Sequence, residues 1–216
     1  HGPMQVAEGD LISRCLGLYG EWAWIETLFI LRVAALSGCE RIVDIGANIG
    51  NHTLAFATRA ASVHAFEPIP TIYQLLHDNV AANGLAHVHT HPVALSDTAG
   101  TATIYMVKQG NFGASSFDQR ANGVEPVEVN KQTGDEFVRQ HGLGRIDFIK
   151  IDVEGSEHDV LAGARDTLWA YRPRLIIEWN NHFFTGRPEA AEALYTLITR
   201  DLRYRLHRIE PGATTR

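Results

Sequence analysis

Apolar and polar residues along this chain follow two periods, and the switches between them divide it into elements. Arg41-Ile42-Val43-Asp44-Ile45 is a short β-branched run ending in glycine, and helical sequence follows over residues 51–60. Ser62-Val63-His64-Ala65-Phe66 is a second strand, closed by Glu67-Pro68. Residues 70–82 then carry helical spacing that Asn83-Gly84 stops. A third strand falls within residues 87–95, a fourth at 145–151 and a fifth at 174–179, with a helix expected over residues 155–169. Strands alternating with helices predict an α/β fold, a mostly parallel twisted sheet with helices on both faces.

Two regions depart from that alternation. Residues 101–106 and 124–129 each alternate like strands, and the stretch between them, 108–123, is rich in Gly, Asn and Ser. They read as an inserted hairpin with a mobile polar loop near the mouth of the site. Ahead of the first strand, residues 11–36 are apolar and aromatic at helical spacing, so residues 4–40 are expected to form a helical cap, a lid or a dimer face. Trp22, Trp24 and Phe29 are expected in its core. His1-Gly2-Pro3 before Met4 reads as an expression remnant, leaving residues 41–216 as one catalytic domain.

Composition narrows the class. The chain has 216 residues, 45% of them hydrophobic and 20% charged, enough for one well-buried core. A net charge of −6 and no long basic run argue against nucleic acid as a partner. The most apolar stretch, residues 22–36, contains Glu26 and Arg32 and is too short to span a bilayer. Two cysteines, Cys15 and Cys39, make neither a disulfide framework nor a CxxC metal pattern, which points to a reducing cytoplasm. Arginine far outnumbers lysine, as in proteins of GC-rich genomes.

The chemistry starts at Gly46-Ala47-Asn48-Ile49-Gly50. Glycines after a first strand let backbone approach a ligand, but this spacing misses the GxGxxG of a dinucleotide site. Asp44 stands two residues before the first glycine. An anion there repels a pyrophosphate and suits a ligand with an ammonium and a sulfonium, as in S-adenosylmethionine. Glu67, at the end of the second strand, is placed to accept hydrogen bonds from ribose hydroxyls. Ser96-Asp97 is either a contact to the adenine edge or an ordinary turn. Singly, Asp44 reads as a cap, Glu67 as a solvated strand end, and Gly46 and Gly50 as turn residues; their order at strand ends favours a ligand site. A nicotinamide-dependent oxidoreductase is the competing enzyme class, and a non-catalytic domain of the same fold is a third.

These segments resemble the FkbM family of methyltransferases. The likeness is carried by Val43-Asp44-Ile45-Gly46-Ala47-Asn48-Ile49-Gly50, Ala65-Phe66-Glu67-Pro68, Val93-Ala94-Leu95-Ser96-Asp97, Asn111-Phe112-Gly113-Ala114-Ser115-Ser116, Ile149-Lys150-Ile151-Asp152-Val153-Glu154-Gly155-Ser156-Glu157 and Leu161-Ala162-Gly163-Ala164. It implies a Rossmann-like class I methyltransferase acting on hydroxyls of sugars, polyketides or related metabolites, with Asp44, Gly46, Asn48, Glu67 and Asp97 as cofactor contacts. The usual final antiparallel strand is hard to find after residue 204. With the GC-rich composition, the resemblance suggests a role in an actinobacterial polysaccharide or glycolipid pathway.

Ligands of open α/β sheets bind beyond the carboxyl ends of the strands, where Asp152, Glu154, Glu178, Asn180, Asn181 and His182 fall. Side chains two apart on extended chain share a face, so Asp152 with Glu154, and Glu178 with Asn180, can point into one cleft. Methyl transfer is an in-line displacement, in which the protein supplies placement and handles the acceptor's proton. Two routes are open. Glu154 or His182 acts as general base, or Asp152 and Glu178 with Asn180 or Asn181 hold a Mg²⁺ that acidifies the hydroxyl. Glu157 is either a helix-dipole partner or a catalytic acid. Trp179 and Phe183 are expected to line the pocket. Lys150 is expected to face away from Asp152 and to make a salt bridge. The acceptor expected is a small molecule or oligosaccharide, a neutral sugar hydroxyl above all.

Overall fold

Five strands form one all-parallel sheet, as the alternation of strands and helices requires. The computed structural model describes residues 3–19, 23–107, 115–117 and 124–209. Helices α1 (Leu11–Tyr19) and α2 (Trp24–Leu36) come first, followed by β1 (Arg41–Ile45), α3 (Asn51–Ala57), β2 (Ser62–Phe66), α4 (Pro70–Ala82) and β3 (Val88–His91). Then come β4 (Ala94–Ser96), β5 (Gly100–Val107), β6 (Val124–Thr133), α5 (Gly134–His141), β7 (Phe148–Ile151), α6 (Glu157–Ala162), α7 (Arg165–Tyr171), β8 (Arg174–Ile177) and α8 (Pro188–Thr196). The main sheet has the order β3-β2-β1-β7-β8, and a small sheet has the order β4-β6-β5.

Alternation along β1 sorts the core into two layers. Val43 and Ile45 face one side, with Phe66, Ile149, Ile151, Val160, Leu161 and Leu168. Ile42 faces the other, with Val63, Phe148, Ile30, Leu54, Phe56 and Leu76. Asp44 and Lys150 are partners in the β1–β7 register, and both point to the second side. An ion pair is thereby built into an otherwise apolar layer.

The observed elements correct the sequence reading in four places. The third strand is two: β3 joins the main sheet and β4 the small one, so the chain changes sheets at His91–Ala94. The helix over 155–169 is broken into α6 and α7. A Cβ on Gly163 would lie 1.9 Å from the Ser96 carbonyl oxygen, so the chain turns there against the end of β4. Lys150 lies on the same side as Asp152, with its Nζ donating to Asp152 Oδ2 at 3.0 Å. The two are separated by two positions, and period-two alternation puts them on one face. The fifth strand ends at Ile177, one residue before Glu178.

The inserted hairpin is present as β5 and β6, paired antiparallel. Its expected loop lies outside the described residues except for 115–117, where Ser116 bridges to Tyr105. Trp22 also lies outside them; Phe29 is half-buried. No strand follows β8 among the described residues, which continue through a 3₁₀ turn (Asn181–Phe184), α8 and a π turn (Leu197–Asp201). No described helix is long and apolar enough to cross a membrane.

On the face of the sheet that α5 covers, His64, His89, His91 and His141 line a second cavity beside Arg41 and Arg145. His64 and His89 are register partners on β2 and β3, with rings stacked at 4.8 Å, and His64 Nδ1 meets His91 Nε2 at 3.1 Å. Phe137 of α5 closes on His91 edge-on. Burial, with the neighbouring imidazoles, pushes His64 down to about 4 and His91 to about 3.

Candidate active site

A cleft of about 270 Å³ opens beyond the carboxyl ends of β1, β2 and β7. The loop after β1 forms its floor, with Gly46 at φ 76° and Asn48 at φ 51°. A Cβ on Gly46 would lie 1.8 Å from the Asp152 carbonyl oxygen. The glycine is therefore needed first for backbone-to-backbone packing between this loop and the end of β7, before any ligand arrives.

Of the residues singled out from sequence, Gly46, Asn48, Glu67, Asp152, Glu154, Glu178 and Asn180 line this cleft. Glu67 is buried; its Oε2 accepts from the Asn48 N–H at 3.1 Å and its Oε1 from the Ile69 N–H at 2.9 Å. Burial dominates these two bonds and raises its carboxyl to about 7. Each oxygen keeps a second lone pair for a ligand hydroxyl.

The remaining expected contacts sit elsewhere. Asp44 is fully buried beneath the loop, where Thr53 Oγ1 donates to its Oδ2 at 2.6 Å and Lys150 Nζ lies 3.7 Å from its Oδ1. It supports the floor from below. Gly50 lies behind the loop against Leu76. Ser96 is buried and donates to Asp97, which is an exposed turn residue also bound by Thr98. Ala94 and Leu95 face the cleft in their place. His182 is exposed and off the cleft, as are Asn181 and Trp179. Phe183 packs on Gly155, behind the wall. Glu157 caps its own turn by accepting from the Gly155 N–H.

The acidic residues form one coupled group. Asp152, Glu154 and Glu178 each bring a carboxylate oxygen within 4.8 Å of the others. Glu154 reaches the cleft because Glu154 at φ 52° and Gly155 at φ 100° turn the chain sharply after β7. A hydrogen bond to Asp152, reinforced by burial, lifts Glu178 to about 9, so Glu178 keeps the proton it shares with Asp152. Burial works to raise Asp152, but Lys150 and the bond from Glu178 outweigh it and hold the carboxyl low. Burial likewise opposes the Lys150 ammonium, which Asp152 and Asp44 hold above its usual range. Glu154 is raised to about 7 by burial and by the Asp152 and Glu157 charges. Asn180 Oδ1 accepts from the His182 N–H at 3.0 Å, so as packed its carbonyl serves its own turn.

Ser115, Ser116 and Phe117 from the hairpin connection line the cleft, where the sequence reading set that loop at the site mouth. Three contributions were missed from sequence. Ile12 of α1 lines the cleft. Glu26 of α2 lies close enough to Lys150, Asp152 and Asp44 to feel their charges. His52, in the first turn of α3, lines the cleft with its Nδ1 3.1 Å from Thr27 Oγ1. Its place directly behind the glycine loop was the available signal.

Residues 44–206 match the methyltransferase FkbM domain. Methyltransferase sdnD of Sordaria araneosa is 31% identical over 177 residues, covering 68% of each chain. Hexuronic acid methyltransferase AglP of Haloferax volcanii is 31% identical over 137 residues, covering 58% of this chain and half of that one. Among solved structures, the O-methyltransferase of Bacillus cereus in complex with SAH superposes with a TM-score of 0.50 at 14% identity, over 84% of this chain and 71% of that one. That likeness bears on the fold alone, the Rossmann-like fold of S-adenosylmethionine-dependent methyltransferases. With three-quarters of its length matched, the chain belongs to the FkbM methyltransferase domain family.

Proposed function

We propose that the protein transfers the methyl group of S-adenosylmethionine to a hydroxyl of a sugar or glycoside. The observation that carries this reading is the acidic group at the cleft floor: Glu67, Asp152, Glu154 and Glu178 face the cleft or its wall, with Lys150 as their countercharge. Such a site favours a cationic donor and a neutral, hydroxyl-rich acceptor. Glu67 suits the ribose hydroxyls, the Gly46–Asn48 backbone the amino-acid portion, and Ala94 and Leu95 the adenine. Glu154, Glu178 and Asn180 suit the acceptor hydroxyls. The hexuronic acid acceptor in the name of the Haloferax relative supports a sugar. A polyketide or other small-metabolite hydroxyl is the alternative acceptor.

In this reading the protein aligns the acceptor oxygen behind the methyl carbon and excludes water, which is most of what methyl transfer asks of it. Ile12 brings α1 to the wall of the cleft, and Thr27 brings α2 behind His52. The clustered oxygens of Asp152, Glu154 and Glu178 also fit a hard divalent cation such as Mg²⁺, which would lower the hydroxyl's pKa in place of the proton shared by Asp152 and Glu178.

The test is transfer from radiolabelled S-adenosylmethionine to a panel of methyl hexosides, methyl hexuronosides and polyketide alcohols, with and without EDTA. Label in the sugars is expected. Label only in the polyketide alcohols overturns the acceptor class, and activity lost to EDTA and restored by Mg²⁺ establishes the metal route. Glu178→Ala is expected to lower kcat at least tenfold while S-adenosylhomocysteine binding stays within about twofold.

A further inference from the structure

We propose that His52 takes the proton from the acceptor hydroxyl, through Nε2. This rests on the hydroxyl-methylation reading above and adds the residue that completes its proton transfer.

One hydroxyl proton decides the tautomer of His52. Thr27, buried on α2, donates its Oγ1 proton to the Ala23 carbonyl at 3.0 Å, the usual back-bond of a helical threonine. A hydroxyl has one proton to give. At 3.1 Å from His52 Nδ1, Thr27 Oγ1 can then only accept, so Nδ1 carries a hydrogen. A neutral imidazole has one N–H, and Nε2 is left with a bare lone pair. The imidazole is neutral, because burial first and the Lys150 ammonium second push it down to about 3, against the pull of Asp152. Among the described residues Nε2 has no hydrogen-bond partner. Among the described residues the only sealed side-chain polar atoms without a partner are Asp44 Oδ1 and Tyr204 Oη, so Nε2 is not sealed, and the His52 ring lines the cleft. The groups around the ring are Thr27 from α2, Phe56 stacked one turn along α3, and Lys150 and Asp152 at the end of β7.

The step balances. The acceptor oxygen forms a bond to the methyl carbon as the carbon–sulfur bond breaks, and that electron pair leaves on sulfur as a neutral thioether. The hydroxyl proton passes to Nε2, and solvent collects it after product release. One positive charge moves from sulfonium to imidazolium. A weak base suffices, because the oxygen becomes strongly acidic only as it is methylated. The base also strengthens as the reaction proceeds, since the nearby sulfonium charge is disappearing. Thr27 is a positioning residue, acting through the tautomer it enforces.

Long-range ¹H–¹⁵N spectra of the protein with S-adenosylhomocysteine report the tautomer without any acceptor. A protonated Nδ1 and a bare Nε2 at pH 7 are expected; a proton on Nε2 overturns the proposal. With whichever methyl hexoside or hexuronoside the wild type methylates best, His52→Ala is expected to lower kcat roughly 10²- to 10⁴-fold. Binding of S-adenosylhomocysteine should stay within about twofold, and added imidazole should restore part of the rate. Thr27→Val should mix the tautomers and lower kcat severalfold, whereas Thr27→Ser should keep both. Unchanged kcat in a folded His52→Ala overturns the proposal, while a wild type inactive on every sugar counts against the acceptor class instead.

Discussion

Two places on the same parallel sheet, one beyond its carboxyl ends and one on the face beneath α5, each gather titratable side chains, and they solve the problem of burying them in opposite ways. At the carboxyl end, Glu67, Glu154 and Glu178 hold protons well above the usual carboxylate range, around one ammonium, Lys150. Beneath α5, His64 and His91 give up their protons and pair with each other and with neighbouring rings. Burial neutralises both groups. His64 and His91 satisfy each other among like-charged neighbours, whereas the carboxyls face a cleft beside an ammonium and remain poised to ionise when a cation enters. A perturbed pKa beside a cavity therefore does not mark the site, since the histidines line one as well; a perturbed pKa beside a cleft that also holds a fixed countercharge does.

The largest way to break this contrast is Lys150→Met. Asp44 and Asp152 would lose the ammonium they share, and about 3–5 kcal/mol of stability should go with it. Urea unfolding measures this; a loss under 1 kcal/mol would mean that the two carboxyls are already neutral in the fold.

Next in size is pH. The histidines have folded pKa values of about 4 and 3, below their usual 6.5, so their contribution is full above pH 6.5 and is lost as pH falls through the lower values. Glu67 and Glu154 have folded values near 7, above their usual 4.5, so theirs is full below pH 4.5 and is lost as pH rises through 7. The ligand-free protein should thus be most stable between these limits. His91→Leu should flatten the acid limb by about 1 kcal/mol, the full shift being discounted because the ring is partly exposed. A melting-temperature series across pH that is unaltered in this variant would remove the histidines from the account.

The smallest effect sharpens the contrast most. A sulfonium should ionise the carboxyls near the cleft and leave the histidines alone. Calorimetry in buffers of different ionisation enthalpy should show S-adenosylmethionine releasing roughly 0.3–1 proton more than S-adenosylhomocysteine at pH 7. Equal release by the two ligands would place the acidic group away from the sulfur.

The sheet, the glycine loop and Glu67 were legible in the sequence because each is announced locally: β-branched runs, a glycine pair and an acid at a strand end. What escaped depends on contacts distant in sequence. The change of sheet between His91 and Ala94 is enforced by β6, some 37 residues on, which pairs with β4. Asp44 resembles a ligand contact by position, yet the β1–β7 register turns it toward Lys150 and away from the cleft. His182 looked as good as any histidine until the 3₁₀ turn carried it outward. His52 gains significance only through Thr27, a residue of the segment that bears no motif.

The missing side chain at Gly46 has a mechanical consequence. With no room for even a methyl between this residue and the Asp152 carbonyl, the loop after β1 and the end of β7, which in the proposed reading seat donor and acceptor, are machined against one another. Neither can drift without carrying the other, so under that reading thermal motion of the loop preserves the line from sulfur through methyl to oxygen. Alignment is set once, when the chain folds, and substrates inherit it on arrival.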